Sequence, residues 1–139
     1  MTPKYELFDH TADMGVRAQA PTMAALIPPA AEGFYATIGD LVAGPHERPF
    51  VFRAGGGEPE MLLRDFLTEL LVLFERNRRR LARYDQVCFD DHGLEVSATA
   101  ALVDEERSSY HREVKAVTYH ELSIRPVPGG FEATFIVDI

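Results

Sequence analysis

The feature that most constrains this chain is a leucine-rich stripe that begins just after a proline. Leu62, Leu63, Phe66, Leu67, Leu70, Leu71, Leu73 and Phe74 recur at helical spacing, while Arg64, Asp65, Glu69 and Glu75 fall mostly off the apolar arc. Pro59 suits a first helical turn, and Glu58 and Glu60 stand where the positive end of the helix dipole lies. The spacing therefore predicts a helix from Pro59 whose wide apolar face forms the core.

Around this helix the pattern changes. Residues 4–9 alternate as a strand, Asp9 to Asp13 breaks the alternation, and Val16 to Ala20 reads as a second strand. Thr22 can cap a helix carrying Leu26, Ile27, Ala30, Phe34 and Ile38, in which Pro28 and Pro29 predict a kink or two short helices. Phe50 to Phe52 is a strand stopped by Gly55-Gly56-Gly57. Beyond residue 85 the chain reads as β. Val87–Phe89 and Leu94–Leu102 are strands around a turn at Asp91-His92-Gly93, and residues 104–112 form a polar loop. Val114–Val127 and Phe131–Val137 are long strands joined by a hairpin at Pro128-Gly129-Gly130. With no linker or repeat, residues 1–139 are expected to form a single α+β domain, a mixed or antiparallel sheet with two helices packed on one face.

Composition excludes several classes of function. The net charge of −8 argues against a broad nucleic-acid-binding face, so any RNA contact is expected to be indirect or weak. No apolar run is longer than that of Leu70 to Phe74, which is too short for a membrane span, and the first residues do not read as a secretory signal. One cysteine, Cys88, rules out an internal disulfide and fits a reducing cytoplasm; a buried position is expected for it. The cluster Arg76, Arg78, Arg79, Arg80 and Arg83 is expected in solvent at a helix C-terminus.

Common catalytic signatures are missing: the glycine triplet lacks the Lys-Ser/Thr of a phosphate loop, and no nucleophile elbow is present. Three acidic or imidazole-bearing segments remain. Asp9-His10-Thr11-Ala12-Asp13 lies where a strand turns, and its carboxylates either hold a hard dication or order the turn through their own backbone. In the last strand Asp138 shares a face with Glu132, Thr134 and Ile136, and Ile139 adds a terminal carboxylate beside it. If these neighbour Asp13, three anionic groups converge and call for a cation. Across Glu113 to Glu121, period two puts Lys115, Val117, Tyr119 and Glu121 on one face and Val114, Ala116, Thr118 and His120 on the other. A lone strand histidine such as His120 is more often hydrogen-bonded and buried than a ligand.

Taken together, Asp9-His10-Thr11-Ala12-Asp13-Met14-Gly15-Val16, Lys115-Ala116-Val117-Thr118-Tyr119-His120 and the final Asp138-Ile139 resemble the archease family, as does the Leu-rich helix in character and position. The resemblance spans essentially the whole chain. It implies a small cytoplasmic protein that is not itself an enzyme and that activates an RtcB-type RNA ligase. That ligase joins RNA ends in tRNA splicing and repair through a histidine-bound guanylate made from GTP with Mn²⁺, and the family promotes guanylylation and turnover. It further implies a divalent cation, Ca²⁺ with Mg²⁺ or Mn²⁺ as alternatives, held by Asp13, Asp138 and the main-chain oxygens of Ile139. Asp9, His10, Thr11, Lys115, Thr118 and His120 are then associated with the partner or the function. Two other readings stand beside it: a metal-dependent hydrolase or nucleotide-processing enzyme using Asp13, Asp138 and His120, and a chaperone or modulator of an RNA-modifying enzyme.

Overall fold

Alternation over the first twenty residues yields a hairpin, β1 (Lys4–His10) and β2 (Asp13–Ala20), closed by Thr11 and Ala12 alone. The computed structural model, which describes residues 1–139, continues with α1 (Ile27–Ile38), β3 (Gly39–Asp40), β4 (Ala43–Gly55) and α2 (Pro59–Asn77). Then come β5 (Arg79–Asp90), β6 (Gly93–Val103), β7 (Ser109–Tyr110), β8 (Ala116–Val117), β9 (Ser123–Val127) and β10 (Gly130–Asp138). Every pairing is antiparallel, so the fold is α+β with antiparallel sheets and two helices. The strands divide into a five-stranded sheet, β1-β2-β10-β8 with β9 also on β10, and a three-stranded sheet, β4-β6-β5, while β3 pairs only with β7.

The leucine stripe does what its spacing predicts. Leu63, Phe66, Leu67 and Leu70 are fully buried in one cluster of 30 residues drawn from both large sheets and both helices. Phe66 meets Phe50 and Phe52 edge-on at 6.4 and 5.6 Å, which seats α2 on the three-stranded sheet. The helix stops where Arg78 turns left-handed (φ 54°, ψ 40°) and its N–H still donates to the Phe74 carbonyl. On the other sheet, α1 approaches β2 so closely that a Cβ on Gly33 would strike Val16 and the Tyr5 ring. Pro28 and Pro29 stand in the first turn of α1, where a missing N–H is harmless; a 3₁₀ turn, Ala24–Leu26, precedes them and Thr22 Oγ1 accepts from Ala25 N.

Four expectations are corrected. Val114–Val127 is two short strands: between its pairs with β8 and β9, β10 advances through Phe135 and Ile136, while the opposite chain inserts Thr118 to Leu122 as a turn. His120 consequently lies exposed on that turn instead of buried in a strand. The arginine run decorates the helix end only in part: Arg76 and Arg78 are exposed there, but β5 begins at Arg79, whose buried guanidinium donates to the carbonyls of His46 (2.9 Å) and Ala100 (3.0 Å). Arg80 reaches the Leu41 carbonyl and Glu32, and Arg83 pairs with Glu47. Cys88 is exposed, because alternation along β5 turns Phe89 inward and Cys88 outward.

The outer face of the five-stranded sheet is held by a buried carboxylate. Glu132 accepts from Gln19 Nε2 and Arg125 Nη2, each at 2.7 Å, with Arg17 at 3.9 Å. The Gln19 hydrogen bond, then Arg125, hold its carboxyl below its ordinary value of 4.5. A depressed folded-state value means the stabilisation is complete above the unfolded value and is lost as pH falls through the lowered one. Glu132→Gln should therefore flatten the fall of stability with acid below about pH 4.5, read from urea midpoints across pH. Leu67→Ala and Leu70→Ala should each cost about 2–5 kcal/mol, measured the same way at neutral pH.

Candidate metal centre

The hairpin and the last strand set three polar residues in one row. His10 pairs with Asp13 across β1 and β2, and Asp13 pairs with Asp138 across β2 and β10. Directly opposed residues in antiparallel strands point to the same face, with Cα atoms about 4.5–5.5 Å apart. Asp13 and Asp138 are half-buried and their carboxylates face the same side. Like charges placed opposite each other are unfavourable. A hard dication would offset that cost, and two carboxylates with nearby main-chain oxygens are the donors such an ion takes. The residues present fit a cation of that class. Ile139 follows Asp138 with its side chain packed against the core, so the chain's last residue is anchored beside the row.

The second wall is the inserted turn. Thr118 donates its N–H (2.9 Å) and its hydroxyl (3.1 Å) to the Ile136 carbonyl, and its hydroxyl oxygen accepts from His120 N at 3.2 Å. Lys115 enters through its main chain, its N–H donating to the Asp138 carbonyl at 2.7 Å; its side chain is exposed. From α2, Arg64 donates to the Val117 carbonyl at 3.0 Å and lies 3.9 Å over the Tyr119 ring. The turn delivers His120 to within 5.1 Å of His10, ring to ring, and Glu121 Oε2 to 3.5 Å from His10 Nε2. His10 Nδ1 is 3.7 Å from Asp13 Oδ2 and, although buried, has no hydrogen-bond partner.

The structure thus brings His10, Asp13, Asp138, Ile139 and His120 to one end of the sheet, with Thr118 and Lys115 tying the turn to β10. Asp9 is exposed on the opposite face of β1 from His10, and Thr11 is exposed in the hairpin turn. Glu121 belongs to the cluster and escaped the sequence reading, because period two set it on the face away from His120. Its left-handed backbone (φ 52°) instead lets both neighbours face His10. Phe8, on the same face of β1 as His10, lies with its ring on Gly15, where any Cβ would collide with it.

Residues 5–139 match the archease protein family (MTH1598/TM1083). An archease of Methanopyrus kandleri is 31% identical over 138 residues, covering 97% of this chain and 99% of that protein. One from Methanosarcina mazei is 32% identical over 142 residues, covering 98% and 96%. The solution structure of Methanobacterium thermoautotrophicum protein 1598 superposes with a TM-score of 0.75 at 27% identity, covering 97% of this chain and 98% of that one. The crystal structure of a Thermotoga maritima archease, described as a possible chaperone, shares the fold at TM-score 0.72 and 18% identity, covering 96% of each chain. A two-helix α+β domain with this motif pattern over its whole length defines a class, and the class is shared with full-length relatives. The chain belongs to the archease family.

Arg64 joins the core helix to the turn, so its loss should be felt at the site before it is felt globally. Arg64→Ala should cost about 1–3 kcal/mol through the lost charged hydrogen bond and ring contact. Amide exchange at Thr118 to Leu122 should accelerate well before exchange in α2 does, as hydrogen-exchange mass spectrometry would show.

Proposed function

We propose that this protein is a non-enzymatic, cytoplasmic activator of an RtcB-type RNA-splicing ligase, and that the Asp13–Asp138 row is its working end. Membership of the archease family supports the class of function. The observation that carries the reading further is the register that opposes Asp13 to Asp138. Asp13, Asp138 and the main-chain oxygens of Ile139 would hold a divalent cation, Ca²⁺ in the first place with Mg²⁺ or Mn²⁺ as alternatives. Such an ion neutralises the opposed carboxylates and offers oxygen-binding positions to a partner.

In this reading the protein acts by binding and orientation. The tip enters the ligase's nucleotide site and favours the state in which the α-phosphate of GTP faces the guanylate-accepting histidine. It does so only insofar as it binds that state more tightly than the others. A net charge of −8 makes a direct hold on RNA weak, which supports a protein rather than RNA as the partner. No helix is long and apolar enough to cross a membrane.

The decisive experiment is an RNA-joining assay with GTP and Mn²⁺, run with ligase, with this protein alone, and with both. Multiple turnover is expected only with both. GTP or RNA processing by this protein alone would establish the hydrolase reading instead, and rescue of unrelated aggregating proteins without ligase activation would establish the chaperone one. Asp13→Ala and Asp138→Ala should each abolish multiple-turnover activation while changing stability in chelator by no more than about 0.5 kcal/mol. The double variant should add little, because both residues serve one site. Full activation by the double variant would overturn the proposal.

A further inference from the structure

We propose that His10, His120 and Glu121 form a second metal site, nitrogen-rich and separate from the Asp13–Asp138 pair, for a borderline first-row dication such as Zn²⁺ or Co²⁺. One ligand atom from each of the three lies within 4.8 Å of the others. His10 Nε2 and Glu121 Oε2 are already 3.5 Å apart, close to the spacing of two donors on one tetrahedral ion with bonds of about 2.0–2.2 Å. The two imidazoles meet edge to face, their centroids 5.1 Å apart at 63°, so both rings belong to one cluster. His120 and Glu121 are exposed on the turn, so drawing their donors inward takes side-chain rotation alone.

An independent observation concerns His10. Its Nδ1 is buried without a hydrogen-bond partner, which is uncommon for a polar atom in a folded protein. Coordination through Nε2 requires the proton on Nδ1, and that nitrogen faces Asp13 Oδ2 at 3.7 Å. A slight closure makes this the carboxylate–imidazole–metal relay that fixes the tautomer and orientation of ligating histidines. The same ring thus has one nitrogen toward the carboxylate row and the other toward Glu121. Two imidazoles and one carboxylate select Zn²⁺-like ions over Ca²⁺ or Mg²⁺, whereas the carboxylate row has the reverse preference. Three protein donors leave a coordination position open, the arrangement of a site that takes water or an incoming oxygen or nitrogen ligand.

The test titrates the full chain with Co²⁺, followed by its visible d–d absorption, and separately with Ca²⁺ by calorimetry. His120→Ala and Glu121→Gln lie on an exposed turn, and unchanged melting curves will confirm that they fold. Each should weaken Co²⁺ binding by at least about tenfold while leaving Ca²⁺ binding unchanged. Asp138→Ala should abolish Ca²⁺ binding yet leave Co²⁺ binding in place, because Asp138 supplies no donor to the His10–His120–Glu121 set. Zn²⁺ should bleach the Co²⁺ spectrum and excess Ca²⁺ should not. Absence of d–d absorption up to millimolar Co²⁺ would overturn the proposal. So would Co²⁺ binding that survives His120→Ala and Glu121→Gln, or that is lost with Asp138→Ala. Failure of Ca²⁺ binding alone would count against the Asp13–Asp138–Ile139 reading and leave this site standing.

Discussion

The pairing of β2 with β10 carries everything else. It runs from Phe131 opposite Ala20 to Asp138 opposite Asp13 and joins the beginning of the chain to its end. Closing so long a loop costs entropy that only a large buried area can offset. Val16, Ala18 and Ala20 on β2, with Ala133, Phe135 and Val137 on β10, supply that area as fully buried positions beneath α1. A one-residue slip would turn these positions to the outer face, so burial fixes the register. The same register opposes Asp13 to Asp138, and the polar end row is held in place by apolar residues further along the same two strands.

A second coupling passes through α2. One face of this helix fills the core between the sheets, and from another Arg64 reaches the carbonyl of Val117 and the ring of Tyr119. The inserted turn is thereby fastened at three points: to the helix through Arg64, to β10 through Thr118, and to the Asp138 carbonyl through Lys115 N. Its exposed residues, His120 and Glu121, keep side-chain freedom while their backbone is held. That combination suits a ligand clamp better than either a rigid strand or a free loop would.

Arginine does much of this fastening. Arg64, Arg79, Arg80 and Arg112 each donate to main-chain carbonyls between separate segments: Val117; His46 and Ala100; Leu41; and Thr37. A planar guanidinium with five donors can satisfy carbonyls left over where sheets and helices meet, which an ammonium point charge does less well. Within the arginine run that reads as a solvated patch, Arg79 and Arg80 open β5 and are drawn into such contacts, while Arg76, Arg78 and Arg83 stay exposed.

Local periodicity determined the elements whose neighbours lie close in sequence. The helix from Pro59, the Phe131–Val137 strand and its Pro128-Gly129-Gly130 turn, and the first hairpin all follow from spacing and turn chemistry, because burial of one face enforces period 3.6 or 2. The motif carboxylates Asp13 and Asp138 were likewise legible as residue types suited to a cation, whereas His120 read as a buried strand residue. Tertiary structure decided the rest. Nothing local shows that Val114–Val127 must bulge, since the bulge arises where β10 offers two residues against five and Thr118 and Arg64 hold the surplus outward. Glu121 joins His10 only through that bulge, and Cys88 faces solvent only because the α2 side of β5 is taken by Phe89. Composition and spacing set which residues could do chemistry; which of them meet was set by the register of strands more than a hundred residues apart, because only long-range burial can choose it.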